Sequence, residues 1–243
     1  MTKPYKDQQE GKKEQVRAMF NRIAPRYDLL NHTLSFGIDH FWRRNVVKLL
    51  CEYQAPMILD VATGTADLAI ETCRLDPVAV YGVDISEKML ELARDKVNKK
   101  HLHMTVHLRQ ADSEDLPFED QFFDAATVAF GVRNFENLQK GLTEIHRVLR
   151  PGGRLVVLEF SKPRTFPFKQ LYHFYFHYIL PFLGGVVARD KSAYAYLPES
   201  VKNFPEGVHF EAELKKAGLK PERSIPQTFG IATIYVATKD SSQ

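Results

Sequence analysis

Cysteine is scarce in the sequence, and neither sign of charge dominates it. Cys51 and Cys73 form no C-x-x-C pair, so neither a disulfide framework nor a metal site is indicated. Lysine and arginine total 33 against 30 acidic residues, which leaves a net charge of only +3. The basic blocks typical of nucleic-acid-binding domains are missing, so no nucleic-acid partner is predicted.

Long hydrophobic runs are missing too. None approaches the roughly 20 apolar residues that span a bilayer, and residues 1–13 are polar, without the apolar core of a secretory signal. With 243 residues and a hydrophobic content of 44%, the chain can bury one sizeable core. We therefore expect a cytoplasmic protein.

The stretch ILDVATGTA, residues 58–66, organises the rest of the chain. An apolar run that contains Asp60 ends in a turn of small residues around Gly64, and helix-compatible sequence follows. Glycine can adopt positive φ and leaves room for a ligand. A second strand, residues 80–84, ends at Asp84, about 20 residues further on, where an acid can accept hydrogen bonds from ribose hydroxyls.

Glycine is also too scarce here for a dinucleotide fingerprint. The fingerprint G-x-G-x-x-G needs three glycines so that a pyrophosphate can approach the helix. The turn after the first strand contains only one, Gly64. A nucleoside ligand without phosphates fits better, and S-adenosylmethionine is the obvious one. The plainer alternative is that Gly64 serves only as a turn.

Five strands alternate with helices and predict a doubly wound parallel α/β sheet. The further strands are expected at residues 104–108, 123–130 and 154–160. Ligands of such sheets bind outside the carboxyl ends of the strands. Acids, one glycine and one arginine lie at four of these ends, which predicts a nucleoside site there: Asp60, Gly64, Asp84, Asp112 and Arg133.

Helical patterns precede the sheet and separate its strands. Residues 14–23 have helical periodicity up to Pro25, and Asp39 is expected to cap a second helix that carries Trp42. Ser86 is expected to cap the helix after the second strand. Near the end of the chain, strands over residues 219–225 and 231–238 are predicted to form a hairpin.

An aromatic-rich stretch covers residues 166–183. It is either a buried helix that completes the core or a lid that receives a long apolar substrate and contacts the bilayer surface.

Three segments resemble one enzyme family: YDLLNHTLSFGIDHFWR (residues 27–43), FGVRN (130–134) and RVLRPGGRLVVLEFS (147–161). Over residues 16–238 the chain resembles the UbiE/MenG-type quinone C-methyltransferases, which are class I S-adenosylmethionine-dependent methyltransferases. The resemblance implies a Rossmann-like sheet of seven strands, the last of them antiparallel. Within a single domain, the expected parts are a helical cap (14–53), a cofactor-binding core (57–160), an aromatic-rich lid (161–205) and closing elements (207–243).

The resemblance also assigns cofactor positions to Thr65, Asp84 and the pair Asp112 and Ser113. A carboxylate at Asp84 can accept hydrogen bonds from the ribose diol. Asp112 can accept from the adenine amino group, while Ser113 offers a backbone N–H to a ring nitrogen. Gly64 and Asp60 are expected at the methionine end, with Asp60 facing the ammonium.

The implied reaction is C-methylation of a reduced polyprenyl quinone, and demethylmenaquinol is the expected acceptor. Positive charge beside the quinol oxygen would stabilise the phenolate, and Arg133 is the candidate for that role unless it serves in a structural ion pair. Ring-positioning candidates are Tyr27, Asp28 and Asn31, and His40 is a candidate base. Peripheral contact with the inner face of the membrane is expected.

Four other functions stay open at this point. The acceptor can be a benzoquinol of ubiquinone biosynthesis, or the chain can be a non-catalytic methyltransferase-like scaffold. A nicotinamide oxidoreductase is disfavoured by the missing glycines and by the lack of a Tyr-x-x-x-Lys pair after the fourth strand. A nucleic-acid methyltransferase is disfavoured because neither a Pro-Pro-Tyr/Phe stretch nor a Pro-Cys nucleophile is present.

Overall fold

The computed structural model describes residues 2–5, 9–28, 35, 37–174 and 191–241. The strands are β1 (Met57–Val61), β2 (Ala79–Asp84), β3 (Val106–Gln110), β4 (Phe123–Ala129), β5 (Leu149–Phe160), β6 (Leu219–Gln227) and β7 (Ala232–Lys239). The helices are α1 (Lys12–Ile23), α2 (Ile38–Lys48), α3 (Asp67–Thr72), α4 (Glu87–Lys99), α5 (Leu138–Val148), α6 (Phe168–Phe174), α7 (Lys191–Asn203) and α8 (Val208–Lys216).

The strands form one sheet in the order β3-β2-β1-β4-β5-β7-β6. The first five strands pair in parallel, and β7 lies antiparallel between β5 and β6. This confirms the seven-stranded sheet, its antiparallel last strand and the closing hairpin. The strand order reverses between β1 and β4, which is where sheets of this kind bind ligands.

Apolar residues cover both faces of the sheet, so the central strands are apolar almost throughout. In β1, Leu59 belongs to a buried cluster on one face that includes Leu142 of α5, whereas Ile58 belongs to a second buried cluster that includes Val46 of α2. All of these side chains are buried. The near-continuous apolar run of β5 has the same cause.

Several predicted boundaries are wrong by a few residues. Asp39 does not cap α2, because the helix begins at Ile38 after Gly37, whose φ is 74°. The Asp39 carboxylate is buried and instead accepts hydrogen bonds from Ser35 and Arg43. β3 begins at Val106, two residues later than expected, and β5 begins at Leu149, five residues earlier.

The predicted cap of α4 is confirmed. The Ser86 hydroxyl accepts a hydrogen bond from the Met89 N–H at 3.3 Å. Across the described part of the chain, no helix is both long and apolar enough to cross a bilayer.

Candidate active site

A cavity of about 700 Å³, including its open mouth, lies outside the carboxyl ends of β1, β2 and β4. Strand-end residues form its floor: Ala62, Gly64, Asp84, Ile85, Ala111, Asp112, Ser113, Ala129, Phe130 and Gly131. Lys13, Val16 and Phe20 of α1 line it too, together with Tyr27.

The loop after β1 has an unusual backbone that the sequence signalled only in part. Gly64 has φ 56°, as expected, but Ala62 and Ala66 also take positive φ, at 54° and 64°. A Cβ added at position 64 would meet nothing closer than the Tyr27 ring, at 3.9 Å. Such strained turns cluster where backbone approaches a ligand, and the open space above Gly64 permits that approach.

Asp84, at the end of β2, joins this loop to the next helix. Its Oδ2 accepts a hydrogen bond from the Gly64 N–H at 2.8 Å, and its Oδ1 accepts one from the Ser86 N–H at 2.8 Å. Burial raises its pKa to about 6. Each carboxylate oxygen has a second lone pair, so Asp84 can also accept from ligand hydroxyls at the cavity.

Asp112 and Ser113 lie on the same wall of the cavity, after β3. One oxygen of Asp112 contacts the Lys13 ammonium of α1 at 2.5 Å, and the other accepts the Glu114 N–H at 2.9 Å. No sequence pattern predicts this contact, because Lys13 is one of many lysines and lies about 100 residues away along the chain.

Asp60 and Thr65 lie next to the cavity but do not line it. The buried Asp60 carboxylate accepts hydrogen bonds from the hydroxyls of Thr63 and Thr127, both at 2.6 Å. Burial raises the pKa of Asp60 to about 6. The Thr65 hydroxyl donates to Asp28 at 2.5 Å. Asp60 keeps lone pairs that can meet an ammonium, so its predicted contact stays a prediction.

Of the residues predicted to position the ring or to act as the base, only Tyr27 is found to line the cavity among those that the structure describes. Tyr27 lines the cavity, whereas Asp28 does not. The Asp28 carboxylate instead forms an ion pair with Lys96 of α4 at 2.7 Å. His40 is exposed on α2 and does not line the cavity. Asn31 lies outside the described residues.

Arg133 sits on the 3-10 turn Val132–Asn134 after β4, in a buried ion pair. Its Nη1 donates to Glu159 Oε1 at 2.6 Å and to the Phe130 carbonyl at 2.5 Å. The side chain of Arg133 is 8% exposed and that of Glu159 is 0% exposed. Its Nε is buried without a hydrogen-bond partner among the described residues. Arg133 does not line the cavity, although its neighbours Gly131 and Asn134 do.

A polar group around Arg133 escaped the sequence reasoning. Tyr196 of α7 donates its hydroxyl to Asn134 at 3.1 Å, and burial raises the pKa of Tyr196 to about 12. Glu159 lies in the segment RVLRPGGRLVVLEFS (147–161), whose pattern predicts no polar role for it. No local signal marks these residues, because they come together only through tertiary packing.

Exposed apolar side chains form a surface near α6. Phe166 is 80% exposed and Phe174 is 55% exposed, and Leu171 and Phe229 are exposed as well. Phe168 stacks on Phe229 with ring centroids 3.7 Å apart. We call this the aromatic surface. Residues 175–183 of the predicted lid lie outside the described residues, so that prediction is untested.

Known structures share this architecture. A SAM dependent methyltransferase from Aquifex aeolicus superposes with a TM-score of 0.57, covering 80% of this chain and 89% of that one at 20% identity. At that identity the likeness concerns the fold. The sheet order, the loop after β1 and the acid that ends β2 are those of a class I S-adenosylmethionine-dependent methyltransferase.

Sequence comparison narrows the class. The profile of the ubiE/COQ5 methyltransferase family matches residues 8–239, and the chain belongs to that family. A demethylmenaquinone methyltransferase of Bacteroides fragilis is 47% identical, over 98% of this chain and 97% of its own length. The ubiquinone/menaquinone biosynthesis C-methyltransferase UbiE of Geobacter sp. strain M21 is 50% identical, over 94% and 97%.

Proposed function

We propose that this protein methylates a ring carbon of demethylmenaquinol to give menaquinol, with S-adenosylmethionine as the methyl donor. Its family and its 47% identical relative support quinone C-methylation. One structural observation carries the proposal for the site: a cavity with a buried acid at its floor lies directly beside the turn that bears a buried arginine.

The residues of the cavity fit the cofactor. Asp84 accepts from the two ribose hydroxyls, while Asp112 accepts from the adenine amino group after Lys13 moves aside. Ser113 offers its backbone N–H to a ring nitrogen. The open space above Gly64 admits the methionine end. Asp60, which accepts a hydrogen bond from Thr63 of this loop, is the acid that faces the ammonium in this proposal, and Thr65 lies on the same loop. When bound, the cofactor supplies a sulfonium methyl group, which is a strong electrophile.

The acceptor must be presented in line with that methyl group. Loss of a proton from the quinol hydroxyl raises the electron density of the adjacent ring carbon. In this proposal Arg133 stabilises the resulting phenolate through its buried Nε–H, which has no hydrogen-bond partner among the described residues. Because Arg133 does not line the cavity, the turn Val132–Asn134 must shift to bring this group to the quinol oxygen. Tyr27, Asp28 and Asn31 position the ring in this proposal.

His40 is the candidate base that would accept the proton of the quinol hydroxyl. It is exposed on α2 and does not line the cavity, so contact with the quinol would require this helix to move.

The polyprenyl tail has a matching surface. Phe166, Leu171 and Phe174 expose apolar groups beside Arg164 and Lys169, and such a mixture of aromatic and basic residues favours the interface of an anionic bilayer. We infer peripheral attachment to the inner face of the membrane, where the tail of the substrate resides.

A benzoquinol is the second candidate acceptor, because the Geobacter relative is named for both quinones. The purified chain should be incubated with methyl-labelled S-adenosylmethionine and each reduced quinone in turn. We expect label in menaquinol. Label only in the benzoquinol would overturn the assigned acceptor, and the absence of both label and cofactor-binding heat would favour the scaffold.

A further inference from the structure

Lys12 begins the helix that covers the cavity, yet its own side chain points elsewhere. The ammonium is buried, with the residue 6% exposed, and donates to two main-chain carbonyls: Arg133 O at 3.0 Å and Phe135 O at 2.6 Å. These carbonyls belong to the turn that carries Arg133 and to the residue that follows it. One lysine therefore joins the cover of the cavity to the turn beside it.

Two further sets of hydrogen bonds hold the two ends of α1 in place. Gly11, at the N-terminus of α1, provides no side-chain cap. Glu136 takes that place, and its Oε1 accepts the N–H groups of Lys12 at 2.8 Å and of Lys13 at 3.4 Å. The far end of α1 is held by Asn21, which accepts a hydrogen bond from Ser86 at 2.7 Å.

We propose that Lys12 is a positioning residue that holds α1 closed over the cofactor and simultaneously fixes the turn bearing Arg133. Because a bound molecule is covered by α1, the lifetime of the complex and the rate of methyl transfer both depend on these two hydrogen bonds, which the Lys12 Nζ can donate whether it is protonated or neutral. The inference rests on the proposed function, since the cavity is taken to hold S-adenosylmethionine.

The pKa of Lys12 differs between the closed and open positions of α1, so the balance between the two positions depends on pH. Burial lowers the pKa of Lys12 from 10.5 to about 8, while the carboxylates of Glu136 and Glu114 oppose this shift and the Arg133 guanidinium adds to it. Lifting α1 would return the ammonium to water and to its ordinary pKa. Between these two pKa values the closed form binds fewer protons than the open form. A rise of pH through this window therefore favours closure.

The test measures release of S-adenosylhomocysteine from the full chain by stopped flow, together with kcat and KM. Lys12→Met should accelerate release about 10-fold, because the hydrogen bonds to the Arg133 and Phe135 carbonyls are lost, and should lower kcat as well. Arg17→Met is the matched control, since Arg17 is exposed on the same helix. It should leave both rates unchanged.

The pH profile separates positioning from a merely structural role. Release from wild type and from Arg17→Met should slow as the pH rises above about 8. Lys12→Arg keeps its charge throughout, so its release should not slow. Wild-type release rates in Lys12→Met, or slowing that persists in Lys12→Arg, would overturn the inference. If the wild type itself binds no S-adenosylhomocysteine, the proposed function fails instead.

Discussion

Replacing Asp84 with asparagine tests the cofactor site most directly. Both oxygens of Asp84 accept backbone N–H groups, from Gly64 and from Ser86, each at 2.8 Å. An amide has one accepting oxygen and one donating nitrogen. Asp84→Asn must therefore lose one of these bonds and bring its amide nitrogen against a backbone donor.

The magnitude follows from the kind of bond lost. A hydrogen bond to a charged group contributes about 1.5–3 kcal/mol, and the ribose hydroxyls would lose charge-assisted bonds in addition. We expect affinity for S-adenosylmethionine to fall by roughly 10-fold to 100-fold, since about 1.4 kcal/mol corresponds to a factor of ten. Asp95→Asn, at an exposed position on α4, is the control and should bind like wild type.

Calorimetric titration across roughly pH 5 to pH 8 adds a second readout. Burial raises the pKa of Asp84 from 3.8 to about 6. Protonation of this carboxyl therefore stabilises the folded state, and the contribution is fully present below pH 3.8. This contribution to stability is lost as the pH rises through about 6. Ribose hydroxyls donate to the ionised form, so wild-type affinity should increase over the same interval.

Asp60 has a similar pKa, so only the part of this pH dependence that disappears in Asp84→Asn belongs to Asp84. A folded Asp84→Asn variant with wild-type affinity and an unchanged pH profile would refute the ribose assignment.

Three further substitutions probe the other parts of the site. Arg133→Lys keeps the charge but loses the planar fork and the Nε–H, so turnover should disappear while calorimetry still detects cofactor binding; surviving turnover would make Arg133 structural. Gly131→Ala would place a Cβ 2.6 Å from the Cβ of Ala62, and a melt should report about 1–3 kcal/mol of destabilisation from overpacking, with weaker cofactor binding. Phe166→Ser combined with Phe174→Ser should reduce sedimentation with anionic liposomes without lowering the melting temperature, because both side chains are exposed; unchanged sedimentation would argue against the aromatic surface as the membrane contact.

The strand ends were predictable because their causes are local. Central parallel strands are buried on both faces and read as continuous apolar runs, so Asp60 and Asp84 could be placed at the ends of β1 and β2. The cap at Ser86 followed from its residue type and from the helical periodicity after it. The edge strand β3 was misplaced because it is half exposed and its apolar signal is weak.

Other features depend on contacts that no local pattern encodes. Asp39 has the residue type of a helix cap, but its carboxylate is taken by Ser35 and Arg43, and Gly37 supplies the turn instead. The partners of Lys12 lie more than 120 residues away. Glu159 reads as one residue of an apolar strand until Arg133 is found beside it.

The order of the sheet also bears on how this protein avoids aggregation. The outermost strands, β3 and β6, offer main-chain groups on which another chain could add a strand. β6 contains Pro221 and Pro226, which have no N–H to donate, and proline in a sheet is confined to such edges. β3 is only five residues long and exposes Arg109. Both edges therefore disfavour edge-to-edge pairing between copies of the chain.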